Sequence, residues 1–271
     1  MTKPETVAAA AHAVLTTADP FEKARMSHDL FCLSTLQRLP TGGRCTLPDR
    51  PVRPERPELK APKDMPKRRG GGTLHNRIAL LHALAHIELN AIDLAWDAAG
   101  RFGADMPDAF SFDWISVAND EAKHFLMLAE RLSELGSSYG ALPVHDGLWQ
   151  AAYETHDNLA ARLSVVPMVL EARALDVSPP TITRLRNQAD HDSADILQII
   201  YDEEIEHVGI GAKWFFYLAK KQGSEPESLF DDSLERYFSS RPKPPFNYQA
   251  RRKAGLYDSL YDPEKRKKLT N

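Results

Sequence analysis

The chain has 271 residues, 42% of them hydrophobic and 27% charged, with a formal net charge of −4. These proportions fit a folded globular chain and exclude a disordered one, and the acidic balance argues against a general nucleic-acid binder. The only cysteines, Cys32 and Cys45, make no disulfide framework, so a reducing, cytoplasmic setting is expected.

The first 17 residues are Ala-rich but interrupted by Glu5 and His12, which argues against a signal peptide. No window holds 18 uninterrupted apolar residues, so no membrane span is expected. Residues 1–39 read as short helices over Ala8 to Leu15 and Phe21 to Leu39. Between them Asp19 is placed to cap and Pro20 to start the second helix. From 40 to 72, prolines recur at Pro40, Pro48, Pro51, Pro54, Pro57, Pro62 and Pro66, and Gly70, Gly71 and Gly72 close the stretch. Proline fixes its own φ and lacks a donor, so this segment is expected to be an extended strap.

A helix is expected from Thr73. Leu74, Ile78, Leu81, Ala85, Glu88, Ile92, Ala95 and Ala99 keep an alternating three-four step, which places Glu88 inside an apolar seam. The next helix, from about Asp113 to Leu135, has the seam Trp114, Ala118, Glu121, Phe125, Leu128 and Leu132, with His124 one turn beyond Glu121. A third spans roughly Gly147 to Val177. Pro167 is expected to kink it one turn before Glu171, and Pro179-Pro180 to end it. The fourth runs from about His191 to Lys221 and carries Glu204 and His207 on its seam. No segment alternates as a strand does, so the fold class is all-α. The domain reading is N-terminal helices and strap over 1–72, a bundle over 73–222 and a C-terminal extension over 223–271.

Two of these helix pairs repeat one pattern. Glu88 precedes Glu121 by 33 residues (121 − 88), and Glu171 precedes Glu204 by 33 (204 − 171). Each second member opens a Glu-x-x-His, with His124 and His207. One Glu from each of two helices and a Glu-x-x-His from each of two others is the ligand set of a di-metal four-helix bundle. Four buried carboxylates without compensation cost several kcal/mol each, whereas two divalent ions neutralise them. The expected ligands are therefore Glu88, Glu121, His124, Glu171, Glu204 and His207, with Glu121 and Glu204 bridging. Oxygen and imidazole donors suit two iron ions, with a mixed Mn/Fe pair as the alternative. Asp120 and Glu203, each preceding a bridging Glu, are placed to orient the imidazoles from behind. Gly211 is read as making room for a pocket beside the ions, Tyr201 as a packing residue with a place in that pocket as the alternative, and His82 and His86 as hydrogen-bonded core or interface residues facing away from the Glu88 seam.

The runs Leu81-His-Ala-Leu-Ala-His-Ile-Glu-Leu-Asn-Ala-Ile-Asp93, Asp120-Glu-Ala-Lys-His124, His145-Asp-Gly-Leu-Trp149, Leu170-Glu-Ala-Arg-Ala-Leu-Asp176 and Asp202-Glu-Glu-Ile-Glu-His-Val208 resemble a family of bacterial ferritin-like proteins known as a domain of unknown function. That family is distantly related to the di-iron tRNA hydroxylase. The Asp-Glu-x-x-His pattern is also similar to that of bacterial multicomponent monooxygenases, from which the second copy departs at Glu203. The resemblance implies a di-metal carboxylate site and names no substrate. An O2-activating hydroxylase or oxidase is the leading reading, with O2, an electron donor and a small or nucleotide-like substrate as partners. Iron oxidation, iron storage or peroxide removal is the second, and a helical scaffold without catalysis the third. A tRNA-modifying version rests on the basic C-terminal segment, Arg251-Arg252-Lys253 included, which is otherwise read as a solvated tail. The oligomeric state is left open.

Overall fold

The computed structural model describes residues 4–36, 39–65, 72–238 and 240–267. Pro66, Gly70 and Gly71 of the expected strap, and the last four residues of the basic tail, lie outside the described residues. The fold is all-α, as the patterning requires. Among the described residues there is no strand, only an isolated bridge between Leu59 and Val144. The chain forms two compact units, one ending at Gln150 and one beginning at Ala151.

In the first unit, α1 (Val7–Thr16) and α2 (Pro20–Thr35) are separated by the Asp19-Pro20 step, where Asp19 Oδ1 accepts from the Glu22 amide at 2.7 Å. The long pair α3 (Leu74–Phe102) and α4 (Asp108–Glu134) makes the body of this unit. Thr73 caps α3 by accepting from the Asn76 amide. The α3 seam is buried from Leu81 onward, while Leu74 in its first turn is exposed. On α4, Trp114, Ala118, Phe125, Leu128 and Leu132 are buried as their spacing requires. This helix starts five residues earlier than expected, because Pro107 is tolerated at the boundary and Asp108 favours the first turn. Polar anchors fix the packing: Trp96 Nε1 donates to Ser27 Oγ at 2.8 Å, and Ser27 Oγ donates to the Ala118 carbonyl at 3.0 Å.

The proline-rich segment lies on this unit as an extended strap. The Val52 amide donates to the Leu15 carbonyl, the Lys60 amide to Val144, and Trp149 Nε1 to the Asp49 carbonyl. Arg53 reaches into the interior, donating to Asp93 Oδ2 and Asn90 Oδ1, both at 2.5 Å. Lys23 Nζ meets the other oxygen of Asp93 at 2.5 Å, and both Lys23 and Asp93 are fully buried. By length and apolar content α3 could also cross a membrane. Its buried Asp93 answers two cations from elsewhere in the unit, which is the pattern of a core helix.

The boundary between the units falls within α5 (Gly147–Glu154). The second unit holds α6 (Leu159–Val165), a π-helical turn over Val166–Glu171, α7 (Ala172–Asn187) and α8 (His191–Gln222), which packs against all three. The kink expected at Pro167 takes the form of this π turn, which ends at Glu171. Pro179 and Pro180 do not end the helix as expected; α7 runs through both to Asn187. The reason is a replacement donor. Pro179 cannot serve the Leu175 carbonyl, and Asn247 Nδ2 donates to it instead at 3.1 Å.

The C-terminal extension forms α9 (Pro226–Tyr237), α10 (Tyr248–Lys253), α11 (Asp258–Tyr261) and α12 (Pro263–Lys267). One residue of the basic segment is not solvated. Arg251 is buried and donates to both carboxylate oxygens of buried Asp176, at 2.9 and 2.7 Å. Its guanidinium also lies over the rings of Phe246 and Tyr261. It therefore fastens the extension to α7 and is unavailable to a nucleic acid.

Candidate metal centre

Within the first unit, three of the expected ligands meet. Glu88 comes from the seam of α3, and Glu121 and His124 from one face of α4, since residues three apart on a helix are neighbours. All three are buried, Glu121 and His124 completely. His124 Nδ1 lies 3.3 Å from Glu88 Oε2 and 3.4 Å from Glu121 Oε2. Such separations match an edge of a coordination polyhedron whose bonds are about 2.1 Å long. The donor set, two carboxylates and one imidazole, fits a divalent first-row ion, and the cluster could hold a metal ion. Burial, then the adjacent Glu121 charge, holds the Glu88 carboxyl well above the usual carboxylate range. A cation at this position reverses that balance.

In the second unit, α8 buries Glu204 and His207, with His207 Nδ1 3.8 Å from Glu204 Oε2. Glu171, the last residue of the π turn, is half-buried. A π turn inserts one residue into the helical ladder and shifts the side chains after it, a device frequent at functional sites. Asp120 and Glu203 are half-buried, and Asp120 lies 3.7 Å from Lys123 Nζ on its own helix. The Tyr201 hydroxyl accepts from Asn247 Nδ2 at 3.0 Å, tying it to the C-terminal extension. The ring of Pro167 fills the space beside Gly211, and an added Cβ would come within 2.5 Å of Pro167 Cγ. Gly211→Ala is accordingly expected to cost about 1–3 kcal/mol of stability, read from chemical denaturation, because a rigid ring cannot move aside.

His82 and His86 occupy the opposite side of α3 from Glu88. His82 Nε2 accepts from the amides of Gly140 and Leu142, at 2.9 and 3.3 Å, and its ring stacks on Tyr139. His86 bonds the Tyr139 hydroxyl at 2.8 Å and Asn90 Nδ2 at 3.0 Å. Burial pushes His82 down to about 4 and, aided by the charge of Arg53, His86 down to about 3. Both are neutral at neutral pH and clamp the loop after α4. Sequence reasoning misses the chain of partners that runs through Lys23, Asp93, Arg53, Asn90, His86 and Tyr139. Its local signal is Asp93, an acid among the buried residues of α3.

Fold and site together define an all-α protein with a buried carboxylate–imidazole cluster suited to a metal ion. The chain belongs to the family described as protein of unknown function (DUF455), whose profile matches residues 16–262. It is also 39% identical over 269 residues to an uncharacterized protein of Haemophilus influenzae, with 92% of each chain covered. No solved structure matches it.

Proposed function

We propose that this chain is a di-metal carboxylate protein that uses O2 to oxidise a small organic substrate. Its ligands are Glu88, Glu121, His124, Glu171, Glu204 and His207, and its metal is a pair of iron ions or an Mn/Fe pair. The observation that carries the reading is the fully buried contact of His124 with Glu88 and Glu121. A helix core tolerates such acids when cations compensate them. The repeat at Glu171, Glu204 and His207 would supply the matching half of the ligand set that a ferritin-like di-metal four-helix bundle uses. Four carboxylates then balance two divalent ions. When bound, such ions supply the electrons that activate O2. The chain's own residues hold the ions, leave a position for substrate and exclude bulk water. The cytoplasm is the expected compartment.

The test is metal analysis of protein from iron-rich cultures, followed by anaerobic reduction and exposure to O2. The expected result is two metal ions per chain, uptake of O2 in fixed proportion to the metal, and no iron mineral when excess Fe(II) is added. Continued turnover of Fe(II) with mineral growth would assign the protein to iron handling instead. A metal-free protein from the same cultures would leave only the scaffold reading.

A further inference from the structure

The C-terminal extension carries a groove unrelated to the carboxylate cluster. Helix α10 ends in a paired cap: the Gly255 amide donates to the Arg252 carbonyl and the Leu256 amide to that of Arg251. Gly255 supplies the positive φ, +76°, that this ending demands. The reversal turns Leu256 inward, where it is buried, and Tyr257 outward, where it is 57% exposed, the most exposed aromatic residue in the chain's described part. The Tyr257 ring rests on Phe216, with centroids 4.8 Å apart, so it is backed by a second ring and open to solvent. Beside it lies a cavity of about 690 Å³ lined by Arg252, Leu256, Tyr257, Asp258 and Lys265. Arg252 and Asp258 are ion-paired with each other. A second cation, Lys265, lines the groove, so two cations share the Asp258 carboxylate there; its ammonium sits 5.2 Å from the Tyr248 ring centroid.

We infer that this groove binds a nucleotide: the base stacks on the outer face of Tyr257 and the phosphate is met by Lys265. An exposed ring backed by another ring is a stacking platform, and a neighbouring cation is what a phosphate needs. The cavity has the size that small-molecule sites have. Full-length protein is titrated with ADP carrying a fluorescent methylanthraniloyl label and followed by anisotropy. Saturable binding is expected. Tyr257→Ala weakens it by roughly tenfold or more, whereas Tyr257→Phe, which keeps the ring, retains it. Lys265→Ala lowers affinity and flattens its dependence on salt. Unlabelled ADP competes, while ribose 5-phosphate, which lacks the base, does not. The assignment is overturned if wild-type protein shows no saturable binding, if Tyr257→Ala binds as the wild type does, or if ribose 5-phosphate competes equally. Capture of a single-stranded oligoribonucleotide without ADP binding would likewise overturn it. All variants are surface changes, and circular dichroism reports whether each remains folded.

Discussion

Glu121→Ala and Glu204→Ala are each expected to empty the metal centre completely. The two changes lie 83 residues apart (204 − 121) and in different compact units. Were each Glu-x-x-His to serve a site of its own, Glu204→Ala would leave the buried Glu88, Glu121 and His124 intact, with one ion per chain. A centre that needs both Glu-x-x-His copies, as proposed, would lose its metal from either change. Removing even a partner that touches a ligand from behind typically costs 10–100-fold in metal affinity, so loss of a bridging ligand should cost at least about 100-fold. Elemental analysis of desalted protein decides the matter. One ion retained in Glu204→Ala protein would mean that the half-sites act separately and that the paired-ion chemistry fails. The fold should survive Glu121→Ala in metal-free protein, since the substitution takes one of two neighbouring acids out of a dry interior.

The legible part of this molecule is what a helix states locally. A glutamate at an apolar seam position announces itself by periodicity alone, and the buried positions of Glu88, Glu121 and Glu204 follow from their seams. The illegible part depends on partners distant in sequence. Nothing near Pro179 and Pro180 says that α7 continues, because the donor that makes this tolerable is Asn247. Arg251 reads as one cation in a basic run until Asp176, 75 residues earlier, is seen to hold it. Lys23 looks like an ordinary surface lysine of a polar helix, yet Asp93 on α3 draws it inside. The π turn is half legible: Pro167 marks a disturbed ladder, but the widened turn and the Pro167 ring against Gly211 are products of packing on α8.

The buried acids also fix how a chelated sample responds to pH. Glu88 titrates higher in the folded chain than in the unfolded one, because burial and then the Glu121 charge disfavour its ionised form. A group raised in this way gives stability that is fully present below its unfolded pKa and is lost as pH rises through the folded value. His82 and His86 have the opposite sign. Their folded pKa values are depressed, so they cost stability as pH falls below the ordinary histidine range. Comparing wild type with Glu88→Gln cancels the histidine contribution, as both proteins carry it. After chelation, the unfolding free energy of wild type relative to Glu88→Gln, read from chemical denaturation, should therefore fall between about pH 5 and about pH 8, with a limiting slope near 1.4 kcal/mol per pH unit for one proton. Readdition of metal should abolish the fall, since a bound cation favours the carboxylate in the folded state. Should the chelated wild type instead gain on Glu88→Gln as pH rises, Glu88 would be ionised against a fixed protein cation, and the core would have no use for a metal.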